Sequence, residues 1–147
     1  MLLRVPLVAL CVAAIVFGIV RLGDTNACDD AKSQGFAAAL GHPVPGGPDG
    51  LARRVTDNCR GGADLSATAV ALARGGALQP AERLAQAAIR RDPRDYQGWI
   101  SLAIVMQRSH RPAEQRRAAL RALALNPRYA AARQLAQPAP AGGASGP

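Results

Sequence analysis

The residues that could do chemistry are few: three cysteines, two histidines and ten carboxylates among 147 residues. Cys28 and Cys59 are the only cysteines outside an apolar N-terminal run. They form no C-x-x-C, and an even pair in an exported segment is most simply a structural disulfide. His42 lies in a Pro/Gly loop and His110 at a predicted turn. Neither has a Cys, Asp or Glu at metal-ligand spacing, so both read as solvated loop histidines. Asp29-Asp30 falls in the first turn of a predicted helix, where carboxylates complement the macrodipole more simply than they form a catalytic pair. No G-x-S-x-G, Walker or H-E-x-x-H pattern occurs, and "GGASG" near the end follows no strand and opens no helix. The expectation is a non-enzyme with no cofactor, no metal and no small-molecule substrate.

The elements that must position these residues follow from composition. Apolar residues make up 49% of the chain and aromatics only 3%, so the core must be built from Ala, Leu, Val and Ile. Ala and Leu are strong helix formers, and small side chains let helices approach closely. This predicts one modest all-α domain.

The formal charge is +8, and the 18 basic residues are 17 Arg and Lys32. Arg, Ala, Gly and Pro together are what a GC-rich genome encodes, so codon bias contributes to the basicity. Its distribution is uneven. Residues 22–64 hold four basic and six acidic side chains, whereas residues 82–133 hold eleven Arg and four acids. The positive field belongs to the C-terminal half and favours acidic partners or anionic surfaces. Nucleic acid is not expected, because aromatic residues are scarce and the body is read as exported.

Val5 to Val20 is a run of sixteen residues without a charge, extended by Leu2, Leu3 and Leu22. With Arg4 and Arg21 snorkelling at its ends, residues 3–22 reach the roughly 17–25 residues that span a bilayer. Arg4 precedes the run, while Asp24, Asp29 and Asp30 follow it. That asymmetry predicts a cytoplasmic N-terminus and an extracytoplasmic body in the cell membrane. Cys11 is a small apolar residue within the span. The competing reading is a cleaved signal peptide and a secreted body. Thr25-Asn26-Ala27 fits such a cut loosely. A lipoprotein cut before Cys28 fits worse, because Thr25 stands where an apolar residue is expected.

After the span, "CDDAKSQGFAAAL" (28–40) predicts a helix with Phe36, Ala37 and Leu40 on its apolar stripe. "HPVPGGPDG" (42–50) cannot continue a helix, and "LARRVTDNC" (51–59) predicts a second one. Cys28 and Cys59 would close the open end of this hairpin. A loop of that length contributes about 3–4 kcal/mol by restricting the unfolded chain.

Laying the chain over itself at an offset of 34 aligns "AQAAIRRDP" (85–93) with "AALRALALNP" (118–127). Ala85, Ala88 and Pro93 fall on Ala119, Ala122 and Pro127. Upstream, Leu65, Leu72 and Arg74 fall on Trp99, Met106 and Arg108. Pro93 and Pro127 end their helices, because proline lacks the N–H and clashes with the preceding turn. Asp92 and Asn126 favour a turn just before each stop. Trp99 then lands on the inward face of the next helix as a core residue. "RYAAARQLAQ" (128–137) predicts a short capping helix, and "PAPAGGASGP" (138–147) a low-complexity, disordered tail.

Two helices in 34 residues with a proline after the second is the form of the tetratricopeptide repeat, and residues 63–136 resemble that family. Trp99, Leu102, Ala103 and Met106 match its first-helix signature, and Gly76 and Ala81 its turn and the start of its second helix. His110 and Gln115 depart from the pattern, standing where Gly and Ala are usual. The implied fold is all-α: antiparallel helix pairs of a short solenoid behind one N-terminal transmembrane helix. The segments would be an anchor (1–22), a disulfide-linked hairpin (23–62), the repeats with their cap (63–137) and the tail.

The resemblance implies a membrane-anchored adaptor that binds another envelope protein or peptide in a groove lined by the first helices. In that register the groove holds Ser66, Val70 and Arg74 from one copy. From the other it holds Gln97, Ile100, Ser101, Ile104, Gln107 and Arg108. Val70, Ile100 and Ile104 form an apolar floor, with Arg74 and Arg108 steering toward acidic groups. Ser66, Val70 and Ser101 stand where a carboxylate clamp needs Lys and Asn, so that use is not expected. The hairpin of residues 28–60 could instead cover the floor. Two other roles compete. One is an Arg-rich convex surface (Arg90, Arg91, Arg116, Arg117, Arg121) holding anionic lipid or wall polymer. The other is an accessory subunit of an envelope assembly enzyme.

Overall fold

Three of the turns in this fold are each set by one residue in the left-handed backbone region. The computed structural model describes residues 27–137. The expected membrane segment, Cys11 and the tail lie outside the described residues. Seven helices and no strand occur among the described residues. They are α1 over 27–39, α2 (Gly47–Asn58), α3 (Gly62–Arg74), α4 (Leu78–Arg91), α5 (Tyr96–Arg108), α6 (Pro112–Leu125) and α7 (Ala130–Ala136). None of these helices is long and apolar enough to cross a membrane.

After α1, α3 and α5 the left-handed residues are Gly41 (φ 83°), Gly76 (φ 84°) and His110 (φ 54°). Each turn closes with the same hydrogen bonds. The Gly76 N–H donates to Ala73 O at 3.2 Å and the Ala77 N–H to Leu72 O at 2.9 Å. The His110 N–H donates to Gln107 O at 3.2 Å and the Arg111 N–H to Met106 O at 2.9 Å. The Gly41 and His42 N–H groups do the same with Ala38 and Ala37. This two-bond closure satisfies carbonyls that the helix end would leave orphaned. Glycine suits the conformation, and a side chain there is strained. His110 is therefore a departure that the backbone tolerates at a cost.

The second helices stop by another device. Asp92 and Asn126 are the C-caps of α4 and α6. Their carboxylate and amide oxygens accept from the N–H of Arg94 (3.0 Å) and Arg128 (3.3 Å), two residues on. That turn carries the chain past Pro93 and Pro127 into the next helix. The helices α3, α5 and α7 begin at residues 62, 96 and 130, and α4 and α6 at 78 and 112, a constant interval of 34.

Small residues set the packing. Ala81, Ala85 and Ala88 of α4 and Ala119 and Ala122 of α6 are buried. A Cβ on Gly98 would meet Ile89 N at 3.2 Å, so α5 crosses α4 nearly backbone to side-chain base. Leu51, Leu65, Leu72 and Leu84 fill what remains and are at most 1% exposed. Each contributes on the order of 1.5–3 kcal/mol of burial. Gln115, which stands where Ala is usual, donates from Nε2 to Leu135 O at 2.9 Å and satisfies a last-turn carbonyl of α7. Trp99 is half-buried against both Leu135 and α6, with its Nε1–H on Pro93 O at 3.2 Å.

The hairpin differs from expectation in two ways. Helix α2 opens at Gly47, inside the stretch expected to exclude a helix. Pro48 stands in its first turn, where a missing N–H is harmless. Phe36 on α1 and Leu40 just past its end face outward, 64% and 78% exposed. The buried face is Cys28, Ala31 and Gly35. The reason is steric: a Cβ on Gly35 would lie 3.0 Å from Thr68 Cγ2, and Ala38 O approaches the Cβ position of Gly75 within 2.7 Å. Only the small-residue face lets α1 lie this close to α3.

Cys28 and Cys59 form the disulfide, with Cα atoms 4.9 Å apart. Arg91 secures the same corner, its guanidinium donating to Thr56 O and Cys59 O at the end of α2. Three outcomes follow. Gly76→Ala, which adds no clash because nothing lies within 4 Å of its Cβ, should lower stability in urea unfolding by about 1 kcal/mol. His110→Gly should raise it by about 0.5 kcal/mol, because relief of strain exceeds the added chain entropy. Cys28→Ser/Cys59→Ser should cost about 3–4 kcal/mol, and neither thiol should label before reduction.

Candidate functional site

Side chains from α1, α3, α5 and the start of α7 enclose an open groove of about 370 Å³. Val70 and Ile104 are half-buried in it and Ile100 is buried. Tyr96 and Tyr129 form one wall, their ring centroids 5.0 Å apart and tilted by 56°. Phe36 stands at the opposite rim. Ala63 and Ala67, exposed and small, leave the space between open. None of the eleven lining residues carries a charge.

Two serines sit in the floor. The Ser101 hydroxyl donates to Gly98 O at 2.8 Å. Ser66 is 5% exposed and its hydroxyl has no hydrogen-bond partner. An unpaired buried hydroxyl costs about 1–3 kcal/mol, and the Ser66 oxygen is itself closed off from solvent.

Of the residues expected in the groove, Ser66, Val70, Gln97, Ile100, Ser101 and Ile104 come together in the lining. Arg74, Gln107 and Arg108 do not join them. They are exposed at the C-terminal ends of α3 and α5, outside the lining. The hairpin does not cover the floor and contributes a rim through Phe36. Phe36, Tyr96 and Tyr129 were missed by the two-copy register. A signal for the first was present: Phe36, Val70 and Ile104 are each 34 residues apart. Helix α1 is thus in phase with α3 and α5. The phase is lost between α1 and α2, where seven residues (40–46) form the connection and later copies use three.

Electrostatics hold the groove's frame and leave its floor neutral. Lys32 joins Asp29 at 2.8 Å and Asp64 at 3.2 Å, tying α1 to the start of α3. Hydrogen bonds to Asp29 and then Asp64 raise its pKa above 10.5. At neutral pH this tie is complete, and it is lost as pH rises through the raised lysine value. At the α5–α6 turn, Arg111 pairs with Glu82 and Glu114. The Glu114 carboxyl is held below its usual range by its own backbone N–H at the start of α6 and then by Arg111.

A second concavity, of about 650 Å³, lies between α2 and α4 and holds Arg53, Arg83 and Arg90 with Asp49 and Asp57. Arg83 pairs with Asp49. Of the convex arginines expected to form a patch, Arg91 is engaged at the end of α2, and Arg121 lies 5.9 Å from the Trp99 ring centroid. One cluster of metal-ligating types occurs among the described residues, Cys28, Cys59 and Asp64 within 4.8 Å. The disulfide takes up its sulfurs. Comparison with known protein families, with curated proteins and with solved structures finds no match.

Proposed function

We propose that this chain is a short tetratricopeptide-type array that serves as an adaptor. It is held at the membrane by its N-terminal segment, with its body on the extracytoplasmic side. Its groove binds a segment of another cell-envelope protein. The observation that carries this reading is the open, uncharged groove with an apolar floor between aromatic side chains. A floor of Val70, Ile100 and Ile104 between aromatic walls suits an apolar stretch of peptide. Arg74 and Arg108 stand beyond the floor, where they steer acidic residues flanking that stretch and act on association more than on the bound contact. The constant 34-residue interval of helix starts and the two-bond turn at Gly41, Gly76 and His110 support the family reading.

A second reading has one observation in its favour. Arg53 and Arg90 line the cleft between α2 and α4, and neither has an ion-pair partner among the described residues. They suit an anionic lipid headgroup or wall polymer. Salt separates the two readings, because binding to exposed arginines collapses at high ionic strength and apolar docking does not.

The test is crosslinking in intact membranes followed by recovery of the partner. Ile104→Glu places an unpaired charge in the floor while leaving the helices intact by circular dichroism. It should weaken capture at least ~10-fold at any salt concentration. Arg108→Glu should slow association severalfold at low salt and have little effect at high salt. Recovery of the same proteins by wild type and Ile104→Glu would sink the groove reading.

A further inference from the structure

The corner that joins α1, α2 and α3 gathers three groups of metal-ligating type. The Sγ atoms of Cys28 and Cys59 and a carboxylate oxygen of Asp64 all lie within 4.8 Å of one another. They come from the first turn of α1, the end of α2 and the first turn of α3. The cysteines are 31 residues apart, so no spacing in the sequence announces the set. Oxidised, the two sulfurs bond each other. Reduced, as every cysteine is when a chain is made, they are two thiolate donors beside a carboxylate.

Contacts other than the disulfide hold this set together. Arg91 donates to Thr56 O and Cys59 O and fixes the end of α2. Lys32 ties α1 to Asp64 through Oδ1 at 3.2 Å. The other carboxylate oxygen, Oδ2, lies toward Gly61, 3.0 Å from where a Cβ there would stand. Cys28 and Asp64 stand at the positive ends of α1 and α3, which favours the thiolate and the carboxylate as anions. A tetrahedral Zn²⁺ with Zn–S of about 2.3 Å and Zn–O of about 2.0–2.2 Å needs its ligand atoms roughly 3.5–3.8 Å apart. Once the disulfide is open, side-chain rotation brings the two sulfurs and the oxygen to that spacing. The Asp64 side chain is 35% exposed, so water reaches the fourth position.

We propose that the reduced chain binds one Zn²⁺ through Cys28, Cys59 and Asp64. The two thiol protons pass to solvent as the metal enters. The metal joins α1 to α2 and α3 as the disulfide does, and keeps Phe36 at the groove rim. The two states exclude each other. Oxidation by a small-molecule or protein disulfide expels the ion. The Cys28 thiolate attacks one sulfur of the acceptor and releases the other as a thiolate. The Cys59 thiolate then attacks the Cys28 sulfur and releases the second acceptor thiolate, and Zn²⁺ loses both sulfur ligands.

The test uses the full chain in detergent micelles, with Cys11→Ala to remove the third thiol. It is reduced with a phosphine, desalted without oxygen and titrated with Co²⁺ as a spectroscopic stand-in, then with Zn²⁺. One Co²⁺ per chain should bind, with sulfur-to-cobalt charge transfer and the visible bands of a tetrahedral ion, and Zn²⁺ should remove both signals. The oxidised chain should show neither. Asp64→Asn should weaken binding at least ~10-fold. Lys32→Gln breaks the same tie to α1 but removes no ligand, and it should bind at least as tightly, because a cation beside the site is gone. No charge-transfer band in the reduced chain would overturn the site. So would one metal shared by two chains, or equal affinity in denaturing urea. Unchanged binding by Asp64→Asn, or an equal loss in Lys32→Gln, would remove Asp64 as a ligand and overturn the three-ligand site.

Discussion

The close approach of helix backbones at alanine and glycine is the contact on which the rest of this structure depends. With so few aromatics, the chain cannot wedge its helices apart around large rings. It brings them together instead. Ala69 and Ala103 are fully buried and hold equivalent places on α3 and α5, 34 residues apart. Gly35 holds the same place on α1 and lies against Thr68. On α1 the small face turns inward and Phe36 is left on the other side. Phe36, Val70 and Ile104 are each the next residue along, and all three line the groove. The groove thus lies one residue along from the small-residue packing.

The hairpin of α1 and α2 draws its support from several sources. Helix α2 buries Leu51 and Val55, but the α1 side is thin in apolar contacts, with Phe36 and Leu40 pointing away from the core. What holds it is the disulfide, the Arg91 bonds to the end of α2, and the Lys32 tie from α1 to Asp64. These act at one corner, around Cys28 and the start of α3. The far end of α1 is held by the Gly41 turn and by the close approach of Ala38 to Gly75. A covalent bond suits this position, because a loop closed in the unfolded chain stabilises without needing buried area. Loss of the bond acts on the groove as well, since Phe36 rides on α1.

Much of the fold was legible in the sequence. Pro93 and Pro127 announce helix ends by backbone chemistry alone, and the recurring alanines announce buried faces. The disulfide followed from cysteine count and the reading of the compartment. The face of α1 was read wrongly, because Phe36 and Leu40 are its largest apolar residues and hydrophobicity alone turns them inward. The decisive fact was tertiary: α3 lies too near for any side chain larger than Ala. The start of α2 was missed because Pro and Gly are read as breakers, although a proline in the first turn of a helix breaks nothing. Within the groove, the floor was legible from the 34-residue register. The tyrosine wall was not, because Tyr129 precedes the short last helix and reaches Tyr96 only once the helices have stacked.

Charge is what separates this groove from the rest of the surface. The chain carries 17 arginines, and random placement on exposed positions would put some of them in a concavity bordered by three helices. The cleft between α2 and α4 shows that outcome, with three arginines in its lining. The groove holds none, though Arg74 and Arg108 come from the very helices that form its floor. They stand in the last turn, where a cation complements the helix dipole and the side chain reaches water. If the groove binds a segment as proposed, a neutral floor with cations only at its edge would discriminate by desolvation. A charged residue on a docking segment loses its hydration there and gains no counter-charge, whereas an uncharged apolar one loses little. Selectivity of this kind needs no residue that recognises a particular side chain. On the proposed reading it would disfavour charged segments in general.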